Sequence, residues 1–173
     1  MKKFIILLLV FLALIPSAFA REDYTRDPWY ATEQPLFGYA EELIDPPYSF
    51  SVVLYNDGRL IYKQNQDTLG EYKLDKSIID AISTIIDKAD LSAIPKDLYN
   101  GSVGGGFNSF FFKEKYISSL NISLSNDDSI YVADEYKDNR KHEQAVLNVF
   151  NKIRKAFKDG GYDLSLHDFS PIK

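Results

Sequence analysis

Residues 49–62 (SFSVVLYNDGRLIY) and residues 119–132 (SLNISLSNDDSIYV) carry one pattern twice. In each, apolar residues recur at every second position and then meet an Asn-Asp pair, the mark of a strand followed by a reversal. Laid over one another at an offset of 70, Phe50, Val52 and Leu54 fall on Leu120, Ile122 and Leu124, and Asn56-Asp57 falls on Asn126-Asp127. Helical stripes follow both. Ile78, Ala81, Ile82, Ile85 and Ala89 match Val146, Val149, Phe150, Ile153 and Phe157 at an offset of 68. A lone hairpin is marginal in water, and neither half can bury its apolar face by itself. The pattern therefore predicts an α+β fold: an antiparallel sheet built from two hairpin-helix (ββα) units, with both helices packed on one face. Identities between the halves are few. An internal duplication and the general likeness of amphipathic hairpins both account for the match.

The first hairpin spans residues 49–63, with Asn56-Asp57-Gly58 as a three-residue loop and Gly58 in the left-handed position. This places Leu54 opposite Leu60 and Val52 opposite Tyr62, one apolar face; a two-residue loop would bring Lys63 opposite Val52. The second hairpin is expected at residues 119–133, turning at Asn126-Asp127-Asp128. Helices are expected over residues 77–89, with Asp75 as cap, and over residues 141–158, ended by Gly160-Gly161 in the left-handed region. Residues 107–113 read as a strand whose Phe110-Phe111-Phe112 run needs burial on both faces, after a Gly-rich connection at 100–108. The sheet face away from the helices would show Ser51, Val53, Tyr55, Asn121, Ser123 and Ser125, and would be free for solvent or contact.

The start of the chain is of another kind. Lys2 and Lys3 precede an almost wholly apolar run, FIILLLVFLALI, which Pro16 ends before Ala18-Phe19-Ala20 and the charged Arg21-Glu22-Asp23. That order is a secretory signal cleaved between Ala20 and Arg21. As a helix the run reaches about 20 Å, short of a ~30 Å hydrocarbon core, so it is not read as an anchor. The expected divisions are a signal at 1–20, a Pro- and aromatic-rich extended arm at 21–48, and one domain at 49–163 with repeat-like halves at about 49–95 and 107–160. A tail at 164–173 follows. The arm, carrying Trp29 and Tyr30, is expected to lie on the domain surface with a helical turn at residues 39–43.

Charge and cysteine usage narrow the chemistry. The signal contributes two lysines and no acid, so the chain from Arg21 onward carries -7 against -5 for the whole. Phosphate backbones repel such a chain, so nucleic acid is a poor partner, and no membrane insertion is expected after cleavage. With no Cys there is no lipidated cysteine, no thiolate zinc site, no thiol nucleophile and no disulfide, so an apolar core must carry stability.

No motif assembles a catalytic centre. His142-Glu143 opens like a zincin helix, but Val146 stands where the second His belongs, and both residues read as an exposed first turn. Asp134, Glu135 and Asp138 precede the second helix, where carboxylates favour the positive end of its dipole and match no calcium loop. The Gly104-Gly105-Gly106 run lacks the following helix and Lys of a phosphate loop. His167 beside Asp168 has no serine elbow to serve, and the Asn100 and Asn121 glycosylation patterns read as coincidence in a bacterial-looking chain. No catalytic residue, metal or cofactor is assigned.

The reading favoured is an exported bacterial protein, periplasmic or secreted, soluble and not a lipoprotein. It would be a non-enzymatic binding module such as an inhibitor, immunity or envelope accessory protein. Its partner would be a protein or envelope component, met by a surface drawn from Trp29, Tyr30, Tyr55, Gly105 and Phe107. The alternatives are a structural envelope domain without ligand, and a small hydrolase using Asp134, Glu135 or Asp138 with His142.

Overall fold

The computed structural model describes residues 34–43, 47–65, 67–99, 106–120, 137–165 and 168–172. All described residues belong to one compact unit, Thr32–Lys173. That unit is α+β. Its seven-stranded sheet comprises β1 (Pro35–Leu43), β2 (Tyr48–Tyr55), β3 (Arg59–Gln64), β4 (Asp67–Lys73), β5 (Asp97–Tyr99), β6 (Gly106–Phe112) and β7 (Lys115–Leu120), in the order β4-β3-β2-β1-β6-β7-β5. All neighbours are antiparallel except β5, which lies parallel to β7. Helix α1 (Lys76–Asp87) and helix α2 (Lys137–Asp159) follow β4 and β7 in the chain, and a short pair, β8 (Tyr162–Leu164) and β9 (Phe169–Pro171), closes it.

The first hairpin forms in the register its alternation predicts. Val52 faces Tyr62 and Leu54 faces Leu60, and Gly58 takes φ +88° with its amide donating to the Tyr55 carbonyl at 3.0 Å. Asp57 closes the loop by accepting from the Arg59 amide at 2.9 Å, and this bond holds its carboxyl below the usual aspartate range. Asp75 does cap α1, with extended backbone, but its side chain makes no capping bond. Its carbonyl instead accepts from the amides of Ile78 and Ile79 at 3.0 and 3.3 Å.

The surface arm is replaced, over Pro35–Leu43, by the central strand, and no helical turn forms at residues 39–43. This strand is buried along both faces for most of its length, so it shows no polar alternation. Phe37 and Tyr39 point into the core, while Gly38 and Ala40 fill the opposite face, and the charged Glu41-Glu42 pair disguises the strand's end. Pro35 is tolerated because it is the strand's first residue.

A hairpin that the sequence reading did not expect joins β6 to β7. Strand β7 pairs with β6, turning at Lys113-Glu114, and Lys113 adopts φ +55°. That turn contains no Gly, Asn, Asp or Pro to announce it. Of the expected hairpin at 119–133, only Ser119 and Leu120 lie among the described residues, at the end of β7, and the rest of that hairpin falls outside them.

Both helices join one apolar cluster with one face of the sheet. Ile78, Ile82 and Ile86 of α1 and Val146, Val149, Phe150, Ile153 and Phe157 of α2 meet Phe37, Tyr39, Phe50, Val52, Leu54, Leu60, Phe110, Phe112 and Ile117. Phe110, Phe111 and Phe112 are all buried, as that run required. The opposite face is not open at its centre, contrary to the expectation of a free surface. Val53, Tyr55 and Phe111 there are 2%, 7% and 8% exposed. At the edge, Leu69 is the extra residue of a bulge in β4, where Tyr62 faces Gly70 and Lys63 faces Thr68. A bulged, charged edge strand resists pairing with other chains.

Two glycines separate backbone strain from crowding. Gly58 and Gly161 both have φ +88°, but a Cβ on Gly58 would sit 2.6 Å from Ile79 Cδ1 and 2.9 Å from the Leu74 carbonyl, whereas one on Gly161 would meet nothing. Gly161→Ala should cost about 1 kcal/mol from the left-handed backbone alone. Gly58→Ala should cost more, about 2–4 kcal/mol, because the Leu74 carbonyl and the Ile79 side chain must also give way. Urea midpoints at constant slope measure the difference, and equal losses would show that Ile79 does not press on the turn.

Candidate functional site

The residues proposed from sequence as a contact surface do not converge. Trp29, Tyr30 and Gly105 lie outside the described residues, as do Ala20, Arg21, Asp134, Glu135 and His167, and Asp138 is described only as a residue of α2. Tyr55 and Phe107 share the sheet face opposite the helices, but at its two ends. Tyr55 pairs through Pro35 and Phe107 through Glu42, which are seven steps apart along β1, or roughly 24 Å. Tyr55 is buried, with the Arg59 guanidinium 4.4 Å from its ring centre, so it presents little to a partner; Phe107 is 41% exposed.

His142 and Glu143 do not stand in an exposed first turn. Helix α2 starts at Lys137, which puts them in its second turn, and Glu143 is 1% exposed with Arg140 Nη1 at 3.6 Å from its Oε2. Among the described residues, no group of three or more His, Cys, Asp or Glu side chains is placed to hold a metal ion.

Glu41, Asn108 and Glu143 are the buried polar side chains among the described residues. Two of them face each other across the centre of the sheet, because the β1–β6 register sets Glu41 against Asn108. The Tyr39 hydroxyl, from the same face of β1, donates to Asn108 Oδ1 at 3.0 Å. Burial pushes the Tyr39 phenol far above its ordinary value, and the charge of Glu41 adds to this while Arg154 opposes it. Tyr48 and Tyr62 are raised too, both chiefly by burial, with Glu41 next for Tyr48 and Asp168 next for Tyr62. The Tyr62 hydroxyl donates to Asp168 Oδ1 at 3.2 Å, linking the sheet to the β8–β9 pair. These phenols are neutral hydrogen-bond donors, the opposite of an activated nucleophile. What Tyr39 and Tyr62 accomplish is positional: one ties β1 to β6 and the other ties β3 to the chain just before β9.

Among the described residues, an accessible concavity lies elsewhere, between the two helices. A groove runs between α1 and α2 in two lobes of about 410 and 730 Å³ that share Thr84, Ile85 and Lys152. Small residues, Ala81 and Ala89 on one side and Ala145 and Ala156 on the other, leave it open, and Ile85 and Val149 floor it. Charges stand along the walls. Lys155 pairs with Asp159 at 2.6 Å and Lys76 with Asp80 at 2.7 Å, whereas Lys88 and Lys152 pair with no acid among the described residues. Asp90, on the rim, accepts from the Ser92 hydroxyl at 2.7 Å and the Ser92 amide at 3.3 Å, and these bonds lower its carboxyl's affinity for protons. Sequence reading recorded the two stripes that face the sheet. It missed this groove because its lining comes from the stripes' edges, residues 81, 85, 89, 145 and 149, which become neighbours only when the helices pack.

Tyr39→Phe should destabilise the domain by about 1–3 kcal/mol, since the Asn108 amide would stay buried without its donor. Adding Asn108→Leu should recover part of that loss, and a double-mutant cycle in urea measures the coupling. The pH dependence has a definite sign. A phenol raised in the folded state favours folding fully below the unfolded value of about 10, and this contribution is lost as pH climbs above it. Wild type should therefore lose stability above about pH 10 more steeply than Tyr39→Phe; equal alkaline slopes would refute a buried neutral phenol.

No protein-family model matches the chain, and no curated protein sequence matches it.

Proposed function

We propose that this chain is an exported, non-enzymatic binding module, periplasmic or secreted, with a protein or envelope component as its partner. The groove between α1 and α2 is the observation that carries this reading: it joins an apolar floor to charged walls on two helices anchored from beneath. Recognition sites commonly have this composition, with apolar area supplying affinity and a few polar groups fixing orientation. The signal-like start of the chain supports export, and no helix among the described residues is long and apolar enough to cross a membrane. An ancestral duplication at the offset of 70 belongs to the same proposal as the source of two helices in similar settings.

The test is capture from envelope and culture fractions with the wild-type chain and with Ile85→Glu, which puts a charge on the groove floor. A stoichiometric partner retained by wild type and lost by the variant, at unchanged circular dichroism, is the expected outcome. A partner held equally by both would move the contact away from the groove, and repeated failure to enrich any component would refute the binding reading. Export has its own check. Terminal sequencing of the secreted protein should read Arg-Glu-Asp-Tyr, and an intact Met1 would overturn cleavage after Ala20.

A further inference from the structure

We propose that the groove between α1 and α2 takes a single-chain anionic amphiphile, a fatty-acid-like carboxylate, with its alkyl chain on the apolar floor and its head between Lys88 and Lys152. This deepens the binding reading, on which it rests.

Three observations converge on that ligand class. The first is size. Lobes of about 410 and 730 Å³ fall within the ordinary range of small-molecule sites, roughly 300–1,000 Å³. The 12 residues of α1 give the groove a length of roughly 18 Å, a channel for one extended chain. The second is the floor. Ile85, Val149 and the flanking alanines present hydrocarbon, and the small alanines leave room for an alkyl chain. The third is charge. In a chain of net negative charge, two lysines that line the smaller lobe, Lys88 and Lys152, pair with no acid among the described residues. The neighbouring acid, Asp90, is turned to Ser92 by two hydrogen bonds. A cation pair above an apolar slot complements a ligand with an anionic head and a hydrocarbon tail. A long Lys stem also lies along hydrocarbon while its ammonium meets the head. A cationic amphiphile would bring the same tail but repel both lysines.

Sodium dodecanoate, kept below its micellisation concentration, is the probe, and isothermal titration calorimetry on the secreted chain from Arg21 onward is the measurement. Saturable one-to-one binding is expected, weakening as ionic strength rises. The surface double variant Lys88→Gln/Lys152→Gln should bind at least tenfold more weakly while keeping the wild-type urea midpoint. Ile85→Glu should abolish binding. Dodecyltrimethylammonium, with the same tail and a positive head, should not bind at the same concentrations. Absence of saturable dodecanoate binding would overturn the proposal, and so would equal affinity for the double lysine variant or for the cationic probe. If dodecanoate fails while a protein partner is captured through the groove, the binding module stands and the amphiphile reading falls. If both fail, both fall.

Discussion

Phe150 is the side chain through which helix and sheet meet. Its ring lies 4.7 Å from Tyr39, 5.3 Å from Phe110 and 6.3 Å from Phe37, centre to centre, so one residue of α2 touches the central strand twice and its neighbour once. Phe157 repeats the contact two turns later, against Phe37 and Phe169. A chain without cysteine has no covalent staple, so packing of this kind must hold the layers together. The aromatic supply is spent here. Large rings bury more area per residue than aliphatic side chains, and tilted pairs add a further increment. The Arg154 side chain secures the same helix from its edge, donating from Nε to the Leu164 carbonyl at 2.6 Å and so fixing the chain beyond α2.

Once Phe150 sets α2 over β1, the other features follow from geometry. Helix α1 must lie beside α2 to cover β2 and β3, and the small residues along their contact decide how deep the groove between them is. The polar groups inside the core act with this constraint. Tyr39 and Asn108 satisfy one another in the observed β1–β6 register, and a one-residue slip of either strand would leave the two side chains on opposite faces of the sheet. A buried polar pair of this type adds little net stability, yet it penalises wrong registers by leaving groups unsatisfied.

Legibility in the sequence tracked the range of the interaction involved. The Asn56-Asp57-Gly58 turn, the β2–β3 register, the α2 stripe and its end at Gly161 were readable because each depends on neighbours within a few residues or on a period. Strand β1 was not. Its residues alternate between large core side chains and Gly38 or Ala40, a pattern that looks irregular until strands stand on both sides of it. The β6–β7 turn escaped notice because Lys113 and Glu114 carry no turn chemistry, and the pairing of long apolar strands imposes the left-handed φ on Lys113. Glu143 read as exposed because the helix start was placed four residues late, which moved it from the second turn to the first.

By itself, then, the sequence determined the local elements: which residues alternate, where the helices stop, and that an apolar core without disulfides must hold them. It also determined the signal-like first 20 residues as a stretch distinct from the rest. Tertiary structure decided the strand order, the burial of Glu41 and Glu143, and the existence of a groove between α1 and α2. The physical reason is that periodicity specifies which side of an element is apolar but not which element will cover it. Strand order and groove shape are properties of pairs of elements distant in the chain, and they appear only when side chains such as Phe150 choose their neighbours.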